Sequence, residues 1–278
     1  MKIYKTKRGI VIEYAGSYFL SQESDWDTFV NRSRLLSAIL SEINTLKSDP
    51  SLVEVIKSDL QAPIGSQKVW ASGVTYMPSQ KARIEESKNS FSGDFYTRVY
   101  DAERPELFFK APPYRAVGSG DKVSIHKDSK WNAPEPELTL FISSLGTIEG
   151  YTIGNDMSSQ DIEGENPLYL SQAKSHDGSV AIGPCLYVPG NPIQADSKIN
   201  IKIERNYWEV FSSEISINRM KRKHAELVKY LYREMTFPYG AFLMMGAGIV
   251  PPDDFTLQSG DVIKVSISNI GMLANVVA

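Results

Sequence analysis

Apolar and polar residues alternate through positions 1–20, the period of short β-strands, and the pattern changes near residue 27. Over 27–47 it becomes helical, with Leu36, Ile39, Leu40, Ile43 and Leu46 along one stripe, and Asp49-Pro50 ends the helix. These elements predict a small α/β unit over residues 1–64, joined through the turn-rich APIGSQ to a different texture. From Val69 onward short β-type runs dominate, separated by Gly, Pro, Asn and Asp: KVWASGVTY, ELFFKA, KVSIH, ELTLFI, TIEGYTIGND, SVAIGPCLYV, KINIKIER, VFSSEISI and DVIKVSISNIG. Two helical stretches interrupt them, a polar one after Pro78 (SQKARIEES) and an amphipathic one over 219–235, where Met220, Leu227, Val228 and Leu231 share a face. The predicted class is α+β and β-rich, with the main domain over residues 65–278.

Composition narrows the function classes. The 278 residues are 42% hydrophobic and 23% charged, the balance of an ordinary globular protein with a sizeable core. A net charge of -3 leaves no basic footprint, so nucleic acid is excluded as the expected partner. No apolar run approaches the roughly 20 residues of a membrane helix. Cys185 is the single cysteine, and it sits in the apolar GPCLYV, the setting of a small buried hydrophobe rather than a nucleophile. With no apolar leader in MKIYKTKRGIVIEYAG, a cytoplasmic location is expected.

The chemistry concentrates in APEPELTLFI. Residues i and i+2 of a strand project from the same face with Cα atoms roughly 6.5 to 7 Å apart, so Glu135 and Glu137 converge on one point. Pro136 between them removes a ladder donor and places this strand start at an edge or rim. For the pair alone, two solvated glutamates on an exposed strand is the simpler reading. Downstream, TIEGYTIGND ends in Asp156 and leads through Met157-Ser158-Ser159-Gln160-Asp161 into a helix start. Three carboxylates without Cys or paired His favour a hard cation, Mg²⁺, Mn²⁺ or Ca²⁺, over zinc. Lys174 and His176 stand among small polar residues in LSQAKSHDGSVAIGP. Glu106, Phe108 and Lys110 share one face of ELFFKA, where an ordinary Glu106–Lys110 ion pair is the competing reading.

Taken in order, GVTY at 73–76, ELFFKAP at 106–112, GSGD at 118–121, EPE at 135–137, GYTIGND at 150–156, Lys174 ahead of GSVAIGP, and the closing SGDVIKVSISNIGMLANVV resemble the fumarylacetoacetate hydrolase family from about residue 65 to the end. The resemblance implies twisted mixed sheets rolled into a β-sandwich and a divalent metal on Glu135, Glu137 and Asp156, with Mg²⁺ the default ion. It also implies a functional lysine at Lys174, substrate contacts from Lys174, Lys110, Ser72 and Tyr76, and a homo-oligomer, dimer or tetramer. Members act on 2-oxo acids as hydrolases, decarboxylases, isomerases or dehydratases.

Two departures mark the branch. Ser79 stands three residues after Tyr76, where the hydrolases carry a water-activating histidine, and Gly246-Ala247-Gly248 lacks the threonine of the family's substrate loop. GVTYMPSQKARIEES, PELFFKA and KSHDGS look closest to the branch that dehydrates 2-oxo-3-deoxy sugar acids in oxidative pentose breakdown. For that branch the expected reaction takes 2-dehydro-3-deoxy-D-arabinonate to 2,5-dioxopentanoate and water, with Lys174 and Glu106 as candidates for the proton transfers. A hydrolase or decarboxylase of another 2-oxo acid, a Schiff base at Lys174, and a metal-stabilised binding protein are the alternatives.

Overall fold

The computed structural model describes residues 1–79 and 98–278; beyond Ser79, the polar helix predicted after Pro78 lies outside them. The N-terminal alternation forms β1 (Lys2–Thr6), β2 (Gly9–Tyr14) and β3 (Ser17–Leu20), followed by helices α1 (Trp26–Val30), α2 (Leu35–Ile43) and α3 (Leu52–Asp59). The β-rich part supplies β4 (Lys68–Gly73), β5 (Glu106–Ala111), the short β6 (Ala116–Val117), β7 (Lys122–Val123) and β8 (Asn132–Ala133), then β9 (Pro136–Ile142), β10 (Ile148–Asp156) and β11 (Ser158–Ser159). Helices α4 (Gln160–Glu165) and α5 (Leu170–Lys174) precede β12 (Val180–Tyr187), β13 (Lys198–Arg205) and β14 (Trp208–Ser216). Helix α6 (His224–Leu231) and strands β15 (Ala241–Met244), β16 (Val262–Ile267) and β17 (Gly271–Val277) complete the described elements.

A ten-stranded mixed sheet runs in the order β3-β2-β1-β12-β10-β9-β15-β4-β5, with β6 also on β12. A five-stranded sheet, β14-β13-β16-β17-β7, packs against its middle. Alternation along β9 sends its side chains into two cores, and the strand is buried throughout. Leu138, Leu140 and Ile142 join Ile199, Ile201, Ile263 and Val265 of the smaller sheet in one core. Phe141 turns the other way, into a second core with Trp26, Phe29, Leu35 and Ile39 of α1 and α2. Both faces of the large sheet are therefore covered, which removes the polar half of the usual alternation. The face that carries Phe141 late in β9 carries Glu137 and Thr139 at its start.

Residues 1–64 take part in this architecture directly. Strand β1 pairs with β12 through Lys2 and Tyr187 and through Ile3 and Leu186, so the N-terminal strands extend the large sheet while α1 and α2 cover its outer face. The single helix predicted over 27–47 is two. Asp25 caps α1 by accepting from the Thr28 amide at 2.7 Å, and Arg34 at φ 53° separates α1 from α2. The break is held from outside: Asn31 donates to the Pro238 carbonyl and accepts from the Ser144 amide, while Glu149 accepts from the Leu35 amide. Tertiary contacts override local periodicity here. The helix predicted over 219–235 shortens to α6, with Leu227, Val228 and Leu231 buried. Strand β15, which escaped the sequence reading, inserts between β9 and β4.

Pro136 also differs from expectation. Strand β9 is interior, flanked by β10 and β15, yet β15 pairs with it only from Ile142 back to Thr139. The first residues of β9 thus lose their ladder on one side, and a proline fits where no donor is needed. Opposite Glu137 in β10 lies Gly154, where a Cβ would press on Thr139 Oγ1 and stand 2.7 Å from Met244 Cε. Gly154→Ala is expected to destabilise the fold by about 1–3 kcal/mol through overpacking. Denaturant unfolding of the two proteins checks this, and equal midpoints would show that the space is available.

Candidate metal centre and active site

Register brings the three carboxylates together. In the antiparallel β9–β10 pair Gly154 opposes Glu137 and Asn155 opposes Pro136, and one step on, the Asp156 amide donates to the Glu135 carbonyl at 2.9 Å. Asp156 therefore lies across from Glu135 on the face that Glu137 shares, and the side-chain-less Gly154 leaves the space between them open. One oxygen from each of Glu135, Glu137 and Asp156 lies within 4.8 Å of the others. Glu137 and Asp156 are almost fully buried, and Glu135 keeps one edge to the cleft. Glu137 is steadied by the Gly246 amide, which donates to its Oε2 at 2.5 Å. Gly246 has φ +91° and a Cβ there would stand 2.8 Å from the Ser72 carbonyl, so this donor geometry calls for glycine.

Two buried lysines face this cluster. Lys110 is fully buried, with Nζ 2.5 Å from Asp156 Oδ1 and its aligned hydrogen bonds given to the carbonyls of Met157 and Lys174. Lys174 is equally buried, donates to Glu135 Oε2 at 2.6 Å, and lies 3.7 Å from Asp156 Oδ2 and 3.9 Å from Glu163 Oε2. Among the described residues, two ammonium groups thus meet four carboxylates in a desolvated setting. Uncompensated buried charge is strongly unfavourable. Neither oxygen of Asp156 receives an aligned hydrogen bond, and burial, then the charges of Asp156 and Glu135, holds the Glu137 carboxyl well above the usual carboxylate range. An oxygen-only donor set and the lone pairs of Asp156 left without an aligned donor fit a hard divalent cation.

A narrow cleft, partly open to solvent, lies over this centre. Ser72, Ser79, Phe108, Gln160, Ile249 and Pro251 line it beside the carboxylates. Ser72 is there as expected, although its hydroxyl donates to the Glu106 carbonyl at 3.0 Å. Ser79 donates to the Tyr76 carbonyl at 2.8 Å. The Glu106 carboxylate lies over Gly73, a lining residue where a Cβ would stand 2.5 Å from Glu106 Cδ.

Two residues expected to contact substrate are buried. Lys110 lies at a β-bulge, where Ala111 pairs with Val69 and Phe109 with Trp70, and it is fully buried on the side of the strand from which Phe108 lines the cleft. Its ammonium reaches Asp156. Tyr76 is buried against the 246–248 loop, where a Cβ on Gly248 would stand 2.7 Å from Tyr76 Cδ1, so it supports the loop from behind. Sequence reasoning missed Gln160 and Glu163, one helical turn apart on α4. A glutamate in the polar DIEGE carries the same local signal as a solvated surface charge, and only the fold shows it buried.

His176 is half-buried, makes a hydrogen bond with the Ser124 carbonyl at 3.1 Å and lies edge-on to His126. Burial lowers its pKa. Cys185 is buried as expected, and burial pushes its thiol up to about 12, which leaves it inert.

A carboxyl whose pKa is raised on folding stabilises the fold below its unfolded value, and that contribution is lost as pH rises through the folded value. Metal-free protein is therefore expected to lose stability, from Glu137, as pH climbs above the ordinary 4.5 toward neutrality, and Mg²⁺ is expected to restore it. Thermal melts across this range with chelator and with saturating Mg²⁺ provide the check; parallel profiles would contradict the under-compensated site.

Comparison with known proteins agrees with this architecture. The model of the fumarylacetoacetate (FAA) hydrolase C-terminal family matches residues 69–278. The chain is 40% identical over 262 residues to a probable 2-keto-3-deoxyxylonate dehydratase of Haloferax volcanii, covering 92% of this chain and 89% of that protein. It is 37% identical over 284 residues to 2-dehydro-3-deoxy-D-arabinonate dehydratase of Saccharolobus solfataricus, covering 98% and 95%. Among solved structures, 2-keto-3-deoxy-D-arabinonate dehydratase in its apo form superposes with a TM-score of 0.84 at 33% identity, over 100% of this chain and 98% of that one. The complex described with magnesium and 2,5-dioxopentanoate superposes over the same shares with a TM-score of 0.83 at 33% identity. The β-roll, the placement of the three carboxylates and these matches together show that the chain belongs to the fumarylacetoacetate hydrolase family.

Proposed function

We propose that this protein is a Mg²⁺-dependent hydro-lyase that converts 2-dehydro-3-deoxy-D-arabinonate into 2,5-dioxopentanoate and water. The observation that carries the reading is Lys174: a fully buried ammonium 2.6 Å from Glu135, behind the three cleft carboxylates that suit a divalent cation. Near-full-length similarity to two sugar-acid dehydratases, and to a structure described with magnesium and that same dioxo acid, supports it.

Glu135, Glu137 and Asp156 would hold the ion, and Lys110 fixes Asp156 from behind. When bound, a divalent cation supplies Lewis acidity toward a 2-oxo acid, easing loss of the C3 proton. The protein's own groups then manage two proton movements: one leaves C3, and one joins the C4 hydroxyl so that it departs as water rather than as hydroxide. The resulting 3,4-alkene becomes the C5 aldehyde by proton shifts alone, so the overall change is loss of one water. Lys174 Nζ, at the carboxylates, and the Glu106 carboxylate, over Gly73, are the groups set for these transfers. Phe108, Ile249 and Pro251 narrow the cleft and limit water around them. Ser79 makes a hydrogen bond to backbone and offers no imidazole to activate a water, which favours elimination over hydrolysis.

Cytoplasmic location and homo-oligomeric assembly belong to the same proposal. They are supported by the lone, buried Cys185 and by Tyr207, Trp208 and Val210, left exposed along the edge strand β14 and the turn before it.

Incubation of the protein and Mg²⁺ with a panel of 2-oxo-3-deoxy sugar acids is expected to yield 2,5-dioxopentanoate from the pentonate. Release of CO₂, or hydrolytic cleavage of another 2-oxo acid in its place, would overturn the assignment. Lys174→Met is expected to lower turnover by at least about 10²-fold while still binding the ion. Turnover unchanged by Lys174→Met, or borohydride trapping of substrate on Lys174, would remove the proposed acid–base role.

A further inference from the structure

We propose that Glu163 is a positioning residue for Lys174: its carboxylate draws the lysine ammonium back from the oxygens that the divalent ion needs. This rests on the metal-dependent reading above and assigns a role to a residue that the sequence left unmarked.

Lys174 is poised to compete with the ion. Its ammonium donates to Glu135 at 2.6 Å and stands 3.7 Å from Asp156, so it contacts two of the three candidate ligands. A cation placed there closes over the site unless another anion shares it. Among the described residues, Glu163 is the one further carboxylate within ion-pair reach of Lys174, at 3.9 Å, and it is almost fully buried.

Its position is built rather than incidental. Ser158 Oγ donates to Glu163 Oε2 at 2.9 Å, and Ser158 pairs with Ala133, two residues before Glu135. The short β8–β11 ladder thus fixes the anchor of Glu163 and the backbone leading into Glu135 together. Helix α4 presents Gln160 to the cleft and, one turn later, Glu163 to the lysine. Burying a fourth carboxylate beside three others is unfavourable without cationic charge nearby, and Lys174 supplies such charge. Glu163 and the metal ligands therefore pull on one ammonium from separate elements, and the balance decides how much of Glu135 and Asp156 stays available.

Glu163→Gln keeps the size of the side chain and an acceptor for Ser158 while removing the charge. Mn²⁺ binding to the purified full-length protein, followed by electron paramagnetic resonance, is compared in the wild type, Glu163→Gln, Lys174→Met and the double variant. Glu163→Gln is expected to weaken Mn²⁺ binding about fivefold or more in the wild type, but less than about twofold once Lys174 is gone. With the pentonate substrate, kcat of Glu163→Gln is expected to fall about tenfold with KM within about threefold, because positioning for reaction is lost more than binding. Glu163→Asp is expected to recover part of both losses. If Glu163→Gln does not fold, Ser158→Ala carries the same test by removing only the anchor, with losses in the same direction.

Equal weakening in both backgrounds, or none in either, would overturn the proposal, since Glu163 would then act independently of Lys174 or not at all. The two readings fail separately. Loss of coupling in an enzyme that forms the dioxo acid removes the role of Glu163, whereas coupling in a protein that forms no dioxo acid removes the assigned reaction.

Discussion

The structure turns on an electrostatic debt at the buried ends of β9 and β10. Three carboxylates converge there because strand period and antiparallel register allow nothing else once Glu135, Glu137 and Asp156 occupy those positions. Among the described residues, Lys110 and Lys174 answer part of the charge and Glu163 adds to it, and the three converging carboxylates suit a divalent ion. Removing one member of such a buried network strands the others, which is why its parts are held from several elements at once. Lys110 arrives from a bulge in β5, Lys174 from the end of α5, Glu163 from α4, and the Gly246 amide from the loop after β15.

The fold supplies what this site requires. Sheet packing on one side and α1 and α2 on the other make β9 and β10 rigid, interior strands, so the carboxylates at their ends inherit fixed directions. Where β15 stops pairing with β9 the sheet opens, and the 246–251 segment closes the gap with one backbone donor and several apolar side chains. The cleft therefore joins a charged floor to a restrictive wall. That combination favours moving protons on a chelating acid over admitting bulk water.

Much of this was legible in the sequence, and the misses have identifiable causes. The period of two in PEPEL and the strand end at Asp156 announced the carboxylates, since both signals are local. For Lys110 the strand face was legible, whereas its full burial against Asp156 depends on residues distant in sequence. The break near Arg34 is imposed by Asn31, Glu149 and the loops they touch, none of which is near in sequence. AFLM is too short an apolar run to declare itself a strand, and its identity as β15 comes from fitting between β9 and β4. Glu163 shows the same limit in chemical form: a charge in a polar helix is read as solvated until the fold places Lys174 beside it.

The central claim is that Glu135, Glu137 and Asp156 form one cation site against two buried lysines. A crystal structure of the Mn²⁺-loaded protein, with anomalous density measured at the manganese edge, tests this most directly. The account predicts a single strong peak in contact with oxygens of all three carboxylates while Lys110 remains on Asp156. A peak elsewhere, or Glu135 and Glu137 turned toward bulk water with Lys174 filling the space between them, would contradict it.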